Sequence, residues 1–291
     1  MKNEHVYYSE SGKISVTRQI FSYAFCILLA SILGYVYTGF TVKIPLVYAN
    51  FLLTFGFGIS LGFVLRVLTR LTHNRNKKTR IIQGLIVAGL ATFFQWTAYV
   101  IYLTKTEFPP IGVYYSNLDI MLHSQAYDFL AIVYKLGSWS LFDTTINGFV
   151  LVLIWIGELG IIMFGILSAV LKTNIYPYSE HSKKWYPKYT LIRDFESISS
   201  SVNITKSLMS NPLQALNDLQ KGDGLRYSKI HIYYNKKDLY QYLSLEKVHI
   251  EKSGTGKKNT ENIVSLFKIS KSQAEAILAN FQHKKERMEI I

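Results

Sequence analysis

A chain of 291 residues with 49% hydrophobic side chains, a mean hydropathy of +0.15 and a formal charge of +13 is too apolar for an ordinary basic soluble protein. Its single cysteine excludes an intramolecular disulfide framework and a cysteine-built metal centre. The surplus of Lys and Arg has no nucleic-acid-binding motif beside it, so nucleic acid is not an expected partner.

Residues 1–19 are polar and read as a cytoplasmic N-terminal tail. No cleavable signal peptide is apparent, because the apolar run that follows is long enough to span a bilayer and lacks a clear cleavage site. Four such runs occur, at about 20–40, 45–68, 81–103 and 149–171. The fold class this predicts is an α-helical membrane protein: a four-helix transmembrane bundle over residues 20–172 with a C-terminal cytoplasmic α+β domain over 173–291.

In the first run Ala30 and Gly34 are four apart and share a helix face. Gly58 and Gly62 do the same in the second. Small residues so placed let helix backbones approach closely, and they predict helix packing or a homo-oligomer rather than chemistry. Pro45 suits a helix start. Arg66 near the end of the second run reads as a headgroup anchor.

Between the second and third runs Arg70, Arg75, Lys77, Lys78 and Arg80 crowd one short loop. Such a loop stays in the cytoplasm and attracts anionic lipid headgroups. Both termini are then cytoplasmic, and the localisation expected is a bacterial plasma membrane. The loop at 104–147 is extracytoplasmic and mildly acidic, and its stretch from Asp119 to Trp139 predicts an interfacial or re-entrant helix.

One carboxylate, Glu158, interrupts the fourth run. An ionisable group at bilayer depth is costly and therefore paired or functional. Gln95 lies 14 residues in from Ile81 on the third run, and Glu158 lies 13 residues from Leu171. At about 1.5 Å per residue the two sit at matching depth, so a Gln95–Glu158 pair is expected if the runs pack together.

Beyond the fourth run the Tyr-, Trp-, Lys- and Pro-rich segment 176–189 reads as a membrane-interface anchor. Asn211-Pro212 marks a helix start, residues 225–234, 239–243 and 247–251 read as strands, and 260–267 and 272–287 as helices. Ser272 with Glu275 is the expected capping box of the last helix. Gly254-Thr255-Gly256-Lys257 lacks the upstream glycine and the following Ser or Thr of a phosphate loop. His231 and His249 have no third ligand at metal spacing, and no hydrolase, zinc-protease or dinucleotide fingerprint occurs. No cofactor or catalytic residue is assigned. The expected function is non-catalytic anchoring or signalling, with a cytoplasmic partner bound through 173–291. The alternatives are a small channel or transporter using Glu158, and a membrane-interface enzyme of unfamiliar type.

Overall fold

The computed structural model describes residues 6–44, 47–107, 116–122, 128–137, 139–141, 144–171, 176–251 and 258–286. The chain forms two compact units, residues 12–173 and residues 1–11 with 174–290.

The first unit contains four helices long and apolar enough to cross a membrane: α1 (Val16–Lys43), α2 (Val47–Leu71), α3 (Lys77–Glu107) and, after a gap, α6 (Gly148–Leu171). The first three run past their apolar stretches into flanking Thr, Lys or Arg, whereas α6 is apolar to its last residue, Leu171. Large apolar side chains such as Leu28, Ile32, Leu52, Phe63, Leu153 and Phe164 face outward. A helix apolar on its outer side needs apolar surroundings there, which a bilayer supplies.

Inward faces are built from small residues. A Cβ added at Gly62 would lie 2.8 Å from the Gly165 carbonyl oxygen and 2.9 Å from Ala169 Cβ; one at Gly165 would lie 2.7 Å from the Gly58 carbonyl carbon. Two helices thus meet backbone to backbone, and Gly58 and Gly62 find a matching pair, Gly165 and Ala169, four apart on α6. Both pairs ascend together, so α2 and α6 run parallel. On α1, Ala30 is fully buried and Gly34 faces the α3 backbone at Phe94 and Gln95. The small-residue faces are therefore occupied within one copy of the chain.

Leu61, Leu65, Ile162 and Ile166 fill the centre with Val87, Ala88 and Ala91. Between α3 and α6 lie two short helices, α4 (Asn117–Leu122) and α5 (Asp128–Leu136), and a hairpin of β1 (Trp139–Leu141) and β2 (Thr144–Ile146). Ile120 and Leu130 pack on Val100 and Ile101 near the end of α3.

The second unit is an antiparallel sheet domain with strand order β10 (His283–Lys285), β5 (Lys188–Leu191), β7 (Arg226–Tyr233), β8 (Tyr240–Ile250) and β9 (Lys258–Ser270); β6 (Phe195–Glu196) also pairs with β7. A small hairpin, β3 (Tyr178–Ser179) with β4 (Lys184–Trp185), precedes them. Helices α7 (Ser201–Ser210), α8 (Pro212–Asn217) and α9 (Lys271–Asn280) join one apolar core with Ile230, Ile232, Leu243 and Leu245 of the sheet. Asn211 caps α8 and Pro212 opens it, as the sequence predicts.

Several local expectations change: the strands expected at 239–243 and 247–251 are one continuous strand, β8, and the helix expected over 272–287 ends at Asn280, with β10 following at His283–Lys285. Residues 260–267 form part of β9, not a helix. There the apolar residues Ile263, Val264, Leu266, Phe267 and Ile269 are spaced like a helix stripe because irregularities break the strand's alternation. Leu243 pairs with Phe267, Leu245 with Val264 and Glu246 with Asn262, so β9 carries one extra residue in each of the two intervals. Leu266 turns out at φ 52°, its N–H donates to Ser244 Oγ at 2.9 Å, and Val264 and Phe267 both reach the core. Next, α9 is capped by Ser270 with Gln273 rather than Ser272 with Glu275, since β9 runs directly to Ser270. The segment 176–189 also contributes to the sheet domain: Tyr186 is buried against Tyr233 and Leu266, with Tyr8, Tyr176 and Tyr242 packed around them.

The N-terminal residues belong to this same domain. Tyr7 bridges to Phe267, Tyr8 N–H donates to the Leu266 carbonyl at 2.9 Å, and Lys268 N–H donates to the Val6 carbonyl at 2.8 Å. The segment expected as a tail thus extends the sheet along the edge of β9.

Gly62→Ala is expected to destabilise the helical unit by about 1–3 kcal/mol through overpacking. Gly56→Ala, whose added Cβ meets nothing within 4 Å, is expected to be neutral. Unfolding in a denaturing detergent, followed by tryptophan fluorescence, separates the two.

Candidate functional site

All four long helices contribute to one polar cluster around Glu158. From α1, Tyr37 lies 2.7 Å from Thr54 Oγ1 on α2; Thr54 Oγ1 donates to the Asn50 carbonyl, so the Tyr37 phenol is the donor to Thr54. Thr38 Oγ1 donates to the Gln95 carbonyl at 3.1 Å. Gln95 on α3 lies within side-chain hydrogen-bonding reach of Glu158 on α6. Tyr37, Thr38, Thr54 and Gln95 are buried, and Glu158 is half-buried.

The cluster is incompletely satisfied. Gln95 Oε1 and Asn50 Oδ1 are buried and accept no hydrogen bond among the described residues. A buried acceptor without a donor costs about 1–3 kcal/mol. The ring of Trp96 packs edge-on against Trp155, their centroids 4.6 Å apart, and brings α3 and α6 together one residue from Gln95.

A second polar cluster joins the other ends of α1 and α3 to the turn before α3. Gln19 Nε2 donates to Gln83 Oε1 at 2.7 Å, Gln83 Nε2 to Ser22 Oγ at 2.8 Å, and Asn74 Nδ2 to Gln19 Oε1 at 3.2 Å. The basic loop folds onto this network. Arg80 donates to the Asn74 carbonyl, Arg75 to the Lys13 carbonyl, and the Arg18 side chain meets the ring of His73. Arg75 and Arg80 are buried, Arg70 is half-buried, and Lys77 and Lys78 are exposed. Five basic residues expected to act together thus divide: two brace the turn between α2 and α3, and the two lysines are the ones open to a surface.

Gln83 and Gln95 are 12 residues apart on α3, a rise of about 18 Å. Between the two polar clusters lie Cys26, Ala30, Leu61, Leu65, Val87, Ala88, Ala91, Ile162 and Ile166, all buried and apolar. The interior is polar at both ends and dry in the middle.

In the sheet domain the strand register separates the two histidines that invited a metal reading: His231 faces Ser244, whereas His249 faces Arg226. Among the described residues no group of three or more His, Cys, Asp or Glu is placed to hold a metal ion. The glycine-bearing loop 254–257 lies outside the described residues.

Sequence reasoning missed a partly buried polar group built from β5, β7, β8 and Glu286, the residue after β10. Thr190 Oγ1 donates to Glu286, leaving its oxygen to accept from His231 Nδ1 at 2.7 Å, and His231 Nε2 lies 3.2 Å from Glu246 Oε2. Lys188 Nζ pairs with Glu286 Oε2 at 2.8 Å. The order hydroxyl, imidazole, carboxylate resembles a hydrolytic triad, but the Thr190 proton is committed to Glu286 and both Thr190 and His231 are buried. The arrangement is a hydrogen-bond network that carries one Lys–Glu ion pair, Lys188–Glu286. Its only sequence signal is the alternation that places His231 between Ile230 and Ile232.

The hydrogen bond from His231 holds the Glu246 carboxyl below its ordinary range, against the opposing effect of burial. Burial pushes Glu286 up, but hydrogen bonds from Lys188 and Thr190 outweigh it and leave that carboxyl lowered too. No protein-family model, no curated protein and no solved structure matches the chain.

Two outcomes follow from these geometries. Glu158→Ala is expected to cost about 1–3 kcal/mol by stranding the Gln95 amide, and Glu158→Gln under about 1 kcal/mol, in the same detergent titration. Equal losses would remove the pair as the reason for the carboxylate. Separately, the lowered Glu246 and Glu286 contribute stability that is complete above the unfolded value of about 4.3 and is lost as pH falls through their folded values. Amide exchange in β7 and β8 is expected to accelerate below that pH, and less so in Glu246→Gln.

Proposed function

We propose that this chain is an integral membrane protein of four spans whose cytoplasmic sheet domain anchors or signals to a protein partner, without catalysis. The observation that carries this reading is the pairing of residues 6–8 with β9. The strand before the first span and the domain after the fourth are hydrogen-bonded parts of one unit, which requires an even number of crossings. The chain therefore enters the bundle from this domain at α1 and returns to it after α6. The exposed Lys77 and Lys78 on the α2–α3 side favour a cytoplasmic location for that end.

Sidedness is tested with Ser9→Cys, Lys236→Cys and Thr144→Cys, each in a Cys26→Ser background. A membrane-impermeant maleimide is expected to label only the Thr144→Cys protein in intact cells and the other two after permeabilisation. Partner binding is tested by photocrosslinking from the sheet domain in cells. A domain that recovers no cytoplasmic protein would remove the anchoring role.

A second reading, proton or cation transport, is favoured by Glu158 beside the unsatisfied Gln95 Oε1. It predicts flux in proteoliposomes that Glu158→Gln abolishes. The dry section between the two polar clusters weighs against it, since it demands a second, wetter arrangement of the helices.

A further inference from the structure

A cavity of about 280 Å³ opens in the sheet domain where the N-terminal strand meets it. Tyr7, Tyr8 and Ser11 line it from the strand side, and Tyr178, Glu180, Tyr242 and Lys268 from the domain side. Its walls are held by specific contacts. The rings of Tyr8 and Tyr242 pack edge-on with centroids 5.2 Å apart, and Tyr7 packs likewise on Phe267 at 5.9 Å. Tyr178 N–H donates to Tyr8 Oη at 3.3 Å. Ser11 Oγ donates to Glu180 Oε1 at 2.8 Å, and Lys268 Nζ sits 3.7 Å from the centre of the Tyr240 ring.

One small space therefore presents a carboxylate, an ammonium, aromatic rings and hydroxyls. A lone anion there would be set beside Glu180 and a lone cation beside Lys268, each at a Coulombic cost in a partly desolvated site. A molecule carrying both charges meets an opposite charge at each end, and tyrosine faces attract its ammonium. The volume lies near the lower end for ligand pockets, about 300 Å³, which is the scale of a single amino acid or a phospho-amine.

We propose that this cavity binds a small zwitterion bearing a primary ammonium, with its cationic end set against Glu180 and the tyrosine rings and its anionic end against Lys268. Half of the lining, Tyr7, Tyr8, Ser9 and Ser11, comes from the N-terminal segment, so the bound molecule holds that segment against β9. The proposal rests on the cavity alone and stands or falls separately from partner binding.

The test is hydrogen exchange at Val6–Tyr8 and at residues 266–268 in the full-length protein, in detergent and in nanodiscs. The probes are glycine, L-serine and phosphoethanolamine, with acetate and methylammonium as singly charged controls. A probe present at ten times its dissociation constant is expected to slow exchange there about tenfold. Protection by a free probe identifies a soluble ligand; protection only in nanodiscs of phosphatidylethanolamine, and not phosphatidylglycerol, identifies a lipid headgroup. Either result supports the site.

No protection by any zwitterion, or equal protection by acetate and methylammonium, overturns it. So does an undiminished response in both Glu180→Gln and Lys268→Met. Each variant is used only if its unliganded exchange at Val6–Tyr8 matches that of the native protein, and if neither does, the probe panel on the native protein decides.

Discussion

Backbone pairing between residues 6–8 and β9 is the constraint on which the organisation of the chain depends. Two inter-strand hydrogen bonds, at 2.9 and 2.8 Å, join residues separated by more than 250 positions in sequence and by all four long helices. They add a strand to a sheet edge that would otherwise present unpaired N–H and C=O groups. The bulge in β9 makes this edge usable. With Leu266 turned out, its carbonyl accepts from Tyr8 while its side chain joins the tyrosine cluster on the opposite face from the main core.

Within the helical unit, packing and polarity are divided by position. Glycines at 58, 62 and 165 allow α2 and α6 to touch through their backbones, so dispersion and close fit hold the centre together. Polar groups are confined to the two ends, where each amide can find a partner on a neighbouring helix. Glu158 belongs to the less satisfied of the two clusters. Its neighbours Gln95 and Asn50 each retain a buried acceptor, whereas the Gln19–Gln83–Asn74 network runs continuously from α1 to α3 and the turn before it. The difference makes the Glu158 end the one with capacity for another proton donor.

Much of the helical unit could be read from residue order because long apolar helices are local objects. Twenty apolar residues in a row suffice to specify one, and the depth match of Gln95 and Glu158 follows from helix rise alone. The partner of Gly58 and Gly62 was less visible: Gly165 and Ala169 have the same spacing, but nothing in the sequence selects α6 over another helix. In the basic loop, charge density was plain, yet which arginines turn inward depended on carbonyls supplied by Lys13 and Asn74. The sheet domain was harder to read. The bulges in β9 convert an alternating strand into a pattern with helical spacing, and tyrosines that suit a membrane interface suit a sheet face equally well.

By itself the sequence determined the four long apolar helices, the basic turn between the second and third, the lone carboxylate at depth and the capped start at Asn211-Pro212. Each rests on interactions within a few residues along the chain. Tertiary structure alone decided that residues 6–8 become a strand, that His231 joins Thr190 and Glu246 while His249 lies elsewhere, and that a charged, tyrosine-lined cavity forms beside β9. These features arise where segments far apart in sequence share a register, and a strand's register is chosen by its neighbour's hydrogen bonds and side chains rather than by its own composition.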